Sequence, residues 1–492
     1  MTVRSFNAKL KERHIAECYR YLIAGGDKAL FQAQEASEDD PYVGKEAFQQ
    51  ICYNKKRVLL FGVTCGLSAA YVAGQLDHAI DNAAQCVPVL LGFSPVSLAR
   101  HMYLDLSQSA PMFAVAQRLE KMSQSNGAYV LTPVIGPEPI AGSSRMKSGT
   151  ATKLLLEVVF SAAHQRVYRK TSTCGVSALI KAYQHVLESV YRQQDALAQV
   201  LTEAGRSLNA HGHIYYVSSS TLGIVGMVDA SECPPTFGAD LDDVRGFVCG
   251  GYSTLNNTDG DMSTFIRIDS DYFEDELVPQ LTTHDMVIFL ETDGTAVDSK
   301  ALSSVASKVI FRFTTFTKVL FIEISLTSSS EGLEVTISLP WNVLDSLLTT
   351  PLVAECGQFF MEMACKWTCN IISTGAHIIR GKIYENIMID VRVSNNKLFH
   401  RAIGIVQKVS RCCEVEAREV LLKAIYGTDS LTPSQLATPI STHIQSATSM
   451  AKVVPTALLL ATLRCPVSQA MVILLDCPVI RTAILQRLPS AD

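Results

Sequence analysis

Arg57-Val58-Leu59-Leu60-Phe61-Gly62-Val63-Thr64-Cys65-Gly66-Leu67-Ser68 is the stretch on which the fold of this chain turns. Its first half is a short, unbroken apolar run, and its second half is a loop of small and hydroxylated residues. An amphipathic helical pattern follows over residues 69–79. A buried strand that passes through Gly, Thr and Ser directly into a helix opens a strand–helix–strand unit. Residues 87–91 and 129–134 read as further buried strands, with helical segments between them. That alternation predicts a parallel sheet covered by helices.

The plan recurs downstream. Residues 214–217 read as a strand, 218–223 as a small-residue loop, and the segment up to Ala230 as an apolar helix; 286–290 and 319–324 read as later strands. The two strand–loop–helix units stand about one domain length apart, which suggests duplication. Residues 1–50 look helical and polar around a loop at 35–41, a helix is expected up to about His164, and 177–209 reads as one long polar helical stretch. From about residue 360 the pattern is all-helical, with periodic stretches at 405–426, 451–463 and 468–488. The expected class is α/β: two doubly wound parallel-sheet domains, 1–195 and 196–360, the first of them incomplete, and an all-helical cap, 361–492.

The composition fits such a protein. Of 492 residues, 48% are hydrophobic and 18% charged, which supplies real cores and excludes a largely disordered chain. A net charge of -5 gives no reason to expect nucleic acid or an anionic membrane as partner. The 14 cysteines form no CxxC pair and no metal-ligand spacing with histidine, so free thiols in a reducing compartment are expected, with no metal and no cofactor. The first residues are charged and lack the apolar core of a secretory signal, and the apolar run 453–463 is too short to span a bilayer. These features predict a soluble protein of the cytoplasm and nucleus.

Strand-to-helix loops rich in Gly, Ser and Thr are natural anion sites, because helix amides and the helix dipole both favour negative charge. The first half has two, 62–68 and 142–147, and the second of these adds Arg145 and Lys147 as phosphate partners. Neither has the GxxxxGK[ST] or GxGxxG spacing, which argues against nucleotides. Each also reads as a tight turn with helix-capping hydroxyls.

One run is more specific. Gly136-Pro137-Glu138-Pro139-Ile140-Ala141-Gly142-Ser143-Ser144-Arg145-Met146-Lys147-Ser148-Gly149-Thr150-Ala151-Thr152-Lys153 resembles the signature of the N-acetylmuramic acid 6-phosphate etherase family, which also contains the animal glucokinase regulatory proteins. Ile23-Ala24-Gly25-Gly26-Asp27 leading to Glu38-Asp39, Ser231-Glu232-Cys233-Pro234-Pro235-Thr236-Phe237-Gly238 and Ser394-Asn395-Asn396-Lys397-Leu398 agree with it. Val72-Ala73-Gly74-Gln75, Asp243-Val244-Arg245-Gly246-Phe247 and Ser373-Thr374-Gly375-Ala376-His377 are similar to the regulatory branch, as is the plan of two sugar-isomerase domains with a helical cap.

That resemblance implies a ligand held between the two sugar-isomerase domains and the cap. Thr64, Cys65, Gly66 and Ser68 would line the sugar-phosphate pocket, and Ser143, Ser144 and Arg145 would contact the ligand. Glu38 would accept from sugar hydroxyls, and Asn395 and Lys397 would reach in from the cap, Lys397 facing the phosphate. Without the resemblance, Glu38 reads as part of a solvated acidic loop and Lys397 as a surface lysine. The implied function is a non-enzymatic regulator that binds and inhibits glucokinase, modulated by fructose 6-phosphate and fructose 1-phosphate. The alternative is a lyase releasing lactate from N-acetylmuramic acid 6-phosphate, with Glu38 and Glu232 as its acid–base pair.

Three departures from the family pattern bear on these expectations. Members carry a strand and a Ser-Gly-Cys-Gly-Thr-Ser-Gly-Arg-type loop ahead of the segment where this chain starts. A truncated first domain, with weaker ligand binding and lower stability, is therefore expected. The second-domain loop reads Thr221-Leu222-Gly223-Ile224 where the etherases have Thr-Ser-Gly-Arg, so a dead second site is expected. Residues 338–363, expected to contribute to the glucokinase contact, also depart from the pattern.

Overall fold

The computed structural model describes residues 1–32, 34–99, 111–169, 175–292, 307–314, 333–348, 350–477 and 479–486. By contacts the chain divides into two compact units, each discontinuous in sequence. One comprises 1–20, 30–32 and 153–383; the other comprises 21–29, 33–152 and 384–492. The limits at 195 and 360 divide the chain by sequence pattern, and these units divide it by contact.

The second unit is built on a parallel three-stranded sheet: β1 (Val58–Val63), β2 (Cys86–Leu91) and β3 (Tyr129–Leu131), in that order. β1 pairs with β2 along its whole length, from Val58 opposite Cys86 to Val63 opposite Leu91. β3 joins β2 only from Val89 onward. Pro88, which has no N–H to give, therefore lies just ahead of the doubly paired stretch, where a proline is tolerated. Leu60, Leu76, Ala79, Leu90, Val115 and Leu119 form its core together with Phe48. The same unit holds the C-terminal helices Asn396–Ser410, Glu414–Tyr426, Ile440–Ala447, Val453–Leu463 and Val467–Asp476.

The first unit contains a fully parallel five-stranded sheet: β4 (Ile214–Ser218), β5 (Val244–Val248), β6 (Met286–Thr292), β7 (Ser307–Thr314) and β8 (Leu333–Ser338), in the order β5-β4-β6-β7-β8. Every residue of β4 is buried. An unbroken apolar strand of this kind belongs in a sheet covered on both faces. The α/β class and the parallel sheets are as the sequence predicts.

Several element boundaries differ from the sequence reading. The stretch 177–209 is two helices, Val176–Tyr191 and Gln194–Asn209. The stretch 405–426 is also two, because Arg411 adopts φ 55° and ends the helix Asn396–Ser410 in a left-handed turn. Residues 468–486 again hold two helices, Val467–Asp476 and Ile480–Leu485. The expected strand 319–324 lies outside the described residues, while β7 and β8 on either side of it were not anticipated. Among the described residues no single helix is long and apolar enough to cross a membrane.

Candidate functional site

All ten binding candidates of the sequence analysis, Glu38 through Lys397, fall in one compact unit although they come from four separate segments. The first segment is the loop after β1. Thr64 is buried, and its hydroxyl oxygen accepts from the amides of Ser68 (3.1 Å) and Ala69 (3.2 Å), just ahead of the helix Ala70–Asp81. The Leu67 amide donates to the Thr64 carbonyl at 3.1 Å, and Leu67 is fully buried at φ 50°. Three amides that an anion would use are thus spent inside the loop. Thr64→Val is expected to cost about 1 kcal/mol of stability, read by chemical denaturation, through these two lost acceptor contacts. An unchanged unfolding midpoint would contradict that role. Gly66 is exposed, and Cys65 and Ser68 are half-buried.

The second segment is the signature loop. Glu138 dominates it: its carboxylate accepts from the Lys147 amide (2.8 Å), the Ser148 amide (2.8 Å) and the Ser148 hydroxyl (2.6 Å). A carboxylate on the first amides of the helix Lys147–His164 occupies the position where helix N-termini hold anions. The Lys147 ammonium donates to the Pro137 carbonyl at 3.1 Å, which turns that cation back onto its own loop. Ser143 is 5% exposed, and its hydroxyl oxygen is buried without a hydrogen-bond partner. Arg145 is buried beside it in sequence, and Ser144 is exposed. The two loops meet at Cys65, which lies beside Ser148 and Thr152; burial pushes its thiol above the ordinary value, and the Glu138 charge adds to the effect.

The third and fourth segments meet at the N-terminus of the helix Asn396–Ser410. Asn395 is buried and caps it, its side-chain oxygen accepting from the Leu398 amide at 2.7 Å. Asp39 accepts from the Asn396 amide at 2.9 Å, and the Lys397 ammonium donates to Glu38 at 2.9 Å. Glu38 and Asp39 end the short 3-10 turn Glu35–Asp39. Burial pushes the Asp39 carboxyl above the ordinary carboxylate range and Glu38 adds to it, while the Asn396 amide and Lys397 pull it back. One turn along the same helix, the Arg401 guanidinium lies against the signature loop. A Cβ on Gly142, which sits at φ +84°, would come within 2.6 Å of its central carbon. Neither Glu138 nor Arg401 was identified from the sequence as part of this cluster, although the i, i+4 spacing of Lys397 and Arg401 places both on one helix face.

Comparison with known proteins gives this arrangement a family. The model for the glucokinase regulatory protein N-terminal SIS domain matches residues 1–80, that for the second SIS domain matches 191–380, and that for the C-terminal lid domain of glucokinase regulatory protein matches 385–484. The glucokinase regulatory protein of Xenopus laevis is 34% identical over 464 residues, which is 93% of this chain and 74% of that one. The chain belongs to the glucokinase regulatory protein family. The Homo sapiens member is 36% identical over 499 residues, covering 98% of this chain and 77% of its own length. The N-acetylmuramic acid 6-phosphate etherase of Thermosynechococcus vestitus is 28% identical over 252 residues, 49% of this chain and 74% of the enzyme. The bacterial likeness thus spans one half of a chain that the regulatory family matches nearly throughout.

In this member of the glucokinase regulatory protein family the Ser218, Ser220 and Thr221 hydroxyls at the end of β4 and in the loop after it are engaged. Ser218 is buried, its hydroxyl donating to the Leu290 carbonyl (2.6 Å) and accepting from the Ser220 amide (3.1 Å). The Ser220 hydroxyl accepts from the Leu222 amide at 3.3 Å, and the Thr221 hydroxyl accepts from the Gln358 side chain at 3.1 Å. Leu222 and Ile224 are buried at the start of the following helix, Leu222–Ser231. Glu232 is exposed and belongs to the other contact unit from Glu38. Among the described residues no three His, Cys, Asp or Glu side chains converge to hold a metal ion.

Proposed function

We propose that this chain is a non-catalytic regulator of glucokinase that binds a phosphorylated hexose and changes its hold on the enzyme when the sugar is bound. What supports this reading is that, in a regulatory-family chain, Thr64, Ser143, Ser144, Asn395 and the lid cation Lys397 belong to one compact unit, in which the helix that carries Lys397 also lays Arg401 against Gly142 of the signature loop. With the loop amides and helix starts taken by Thr64 and Glu138, anion recognition falls to side chains: the unpartnered Ser143 hydroxyl, Ser144 and Lys397. Fructose 6-phosphate and fructose 1-phosphate are the ligands proposed. To regulate, each must favour one conformation of the chain over another, because a ligand with equal affinity for both shifts nothing.

Lys397→Gln is expected to weaken fructose 6-phosphate binding about ten-fold in isothermal titration calorimetry, the scale of one charge-assisted contact. Unchanged affinity would remove Lys397 from the site. Inhibition of glucokinase by the wild-type chain, altered by either fructose phosphate, tests the regulatory half of the reading.

A second reading, the lactate-releasing etherase, is favoured by the half-chain likeness to bacterial etherases and by the presence of Glu38 and Glu232. Against it, the Ser218, Ser220 and Thr221 hydroxyls after β4 are engaged by the Leu290 carbonyl, by the loop's own amides and by Gln358. Sustained lactate release from N-acetylmuramic acid 6-phosphate would reverse this preference.

A further inference from the structure

Lys397 does not stand alone. Its ammonium donates to Glu38, and the two side chains are 29% and 42% exposed. Asp39 adds a second carboxylate at the same helix start. An incoming anion therefore meets a cation that is already neutralised, beside a further negative charge. To bind Lys397 it has to take the place of Glu38 or share the ammonium with it, against two carboxylates.

From this pairing we infer that Glu38 is a selectivity device: it competes with free phosphate for Lys397 and thereby biases the site toward phosphorylated sugars. The inference rests on the reading of Lys397 as the phosphate-facing residue. An ionised carboxylate only accepts hydrogen bonds. When inorganic phosphate displaces Glu38 from Lys397, Glu38 loses its donor and stays next to two other negative groups. A sugar phosphate makes the same displacement, but its own hydroxyls supply donors to the released carboxylate. Discrimination comes from the group left unsatisfied in the wrong complex, a more selective device than an added attraction in the right one. The exchange needs only a side-chain movement. Asp39 keeps its bond to the Asn396 amide, and Asp40 keeps its bonds to the amides of Tyr42 (2.9 Å) and Val43 (3.1 Å). The backbone turn therefore stays anchored on both sides when Glu38 lets go.

The test is calorimetric titration of the wild-type chain, Glu38→Gln and Lys397→Gln with inorganic phosphate and separately with fructose 6-phosphate, after thermal melts show all three folded. Glu38→Gln is expected to bind inorganic phosphate about two- to five-fold tighter than wild type, the factor that one partly exposed ion pair represents. It is expected to bind fructose 6-phosphate no tighter, so that the preference for the sugar phosphate falls. Lys397→Gln should weaken both ligands. Inorganic phosphate affinity that is unchanged or lower in Glu38→Gln overturns the inference, as does the absence of phosphate binding in both proteins. If wild type fails to bind fructose 6-phosphate while Glu38→Gln still gains affinity for phosphate, the competition at Lys397 stands and the functional reading falls.

Discussion

Lys153→Met is expected to cost about 3–5 kcal/mol of folding stability, the usual result of removing one partner from a buried ion pair. Lys153 is shared by two carboxylates, Glu157 and Glu362, whose side chains are each 1% exposed. It contacts Glu157 one turn along its own helix and Glu362 at 2.8 Å on the helix Thr350–Ile379. The Tyr183 hydroxyl donates to Glu157 at 2.7 Å and the Gln358 amide donates to Glu362 at 3.1 Å, so the network is otherwise satisfied. Methionine matches the length of the lysine stem and removes the ammonium with its charge and donors, leaving two buried carboxylates without the cation they share. Urea denaturation monitored by circular dichroism reads the loss; a change below about 1 kcal/mol would mean that water reaches the cluster.

The pH dependence of that variant has a definite sign. Burial pushes the Glu157 carboxyl above its ordinary value and the Glu362 charge raises it further, while Lys153 holds it down. A carboxyl with a higher pKa folded than unfolded binds its proton more tightly in the native state. Its contribution to stability is therefore present at low pH and is lost as pH rises from the unfolded value through the folded one. Deleting Lys153 removes the restraint and raises the folded value further. The deficit of Lys153→Met should therefore be smaller near pH 5 than near pH 8, and Glu362→Gln in the same chain should recover part of it. A deficit that grows on acidification would contradict this account.

None of this network was legible in the sequence. The i, i+4 spacing of Lys153 and Glu157 is ordinary for a helix surface and singles out neither residue, and their partner Glu362 lies on a helix far along the chain that no local pattern connects to them. The strand–loop–helix at 58–81 was legible because its signals are local: an apolar run, a Gly-Thr-Ser turn and a helical period. The breaks at Arg192-Gln193 and at Arg411 carry neither Gly nor Pro, the residues that ordinarily mark a helix end. In β7 and β8, Lys308, Arg312 and Glu334 interrupt the continuous apolar run by which a buried parallel strand is recognised. At the candidate site the resemblance supplied Glu38 and Lys397 separately. Their bond to each other is a tertiary fact, since an acid in an acidic run and a lysine at a helix start do not specify partners.

Gly74→Val is expected to lower stability by about 3 kcal/mol, and Gly74→Ala by about 1–3 kcal/mol. The helices Pro41–Cys52 and Ala70–Asp81 approach backbone to backbone through a reciprocal pair of glycines. A Cβ on Gly74 would lie 1.8 Å from the Pro41 carbonyl oxygen, and one on Gly44 would lie 2.1 Å from the Tyr71 carbonyl oxygen. Carbonyls fixed at this contact cannot rotate aside as a flexible side chain can, so the helices themselves must separate. In an open helical position the same Gly-to-Ala change would stabilise by up to about 1 kcal/mol. Gly404, in the helix Asn396–Ser410, has open space around it, with nothing within 4 Å of where a methyl would sit, and is the control expected to gain. Asp40 starts the helix Pro41–Cys52, directly after the turn that carries Glu38 and Asp39. Displacing that helix therefore moves both carboxylates relative to Lys397 and the Asn396 amide. Gly74→Ala should weaken sugar-phosphate binding along with the fold, while Gly404→Ala, if it acts through helix propensity alone, should leave affinity unchanged. Thermal melts and titrations of the two single variants decide the matter: a Gly74→Ala protein as stable as wild type would show that the two helices slide freely and that their close approach does not position the site.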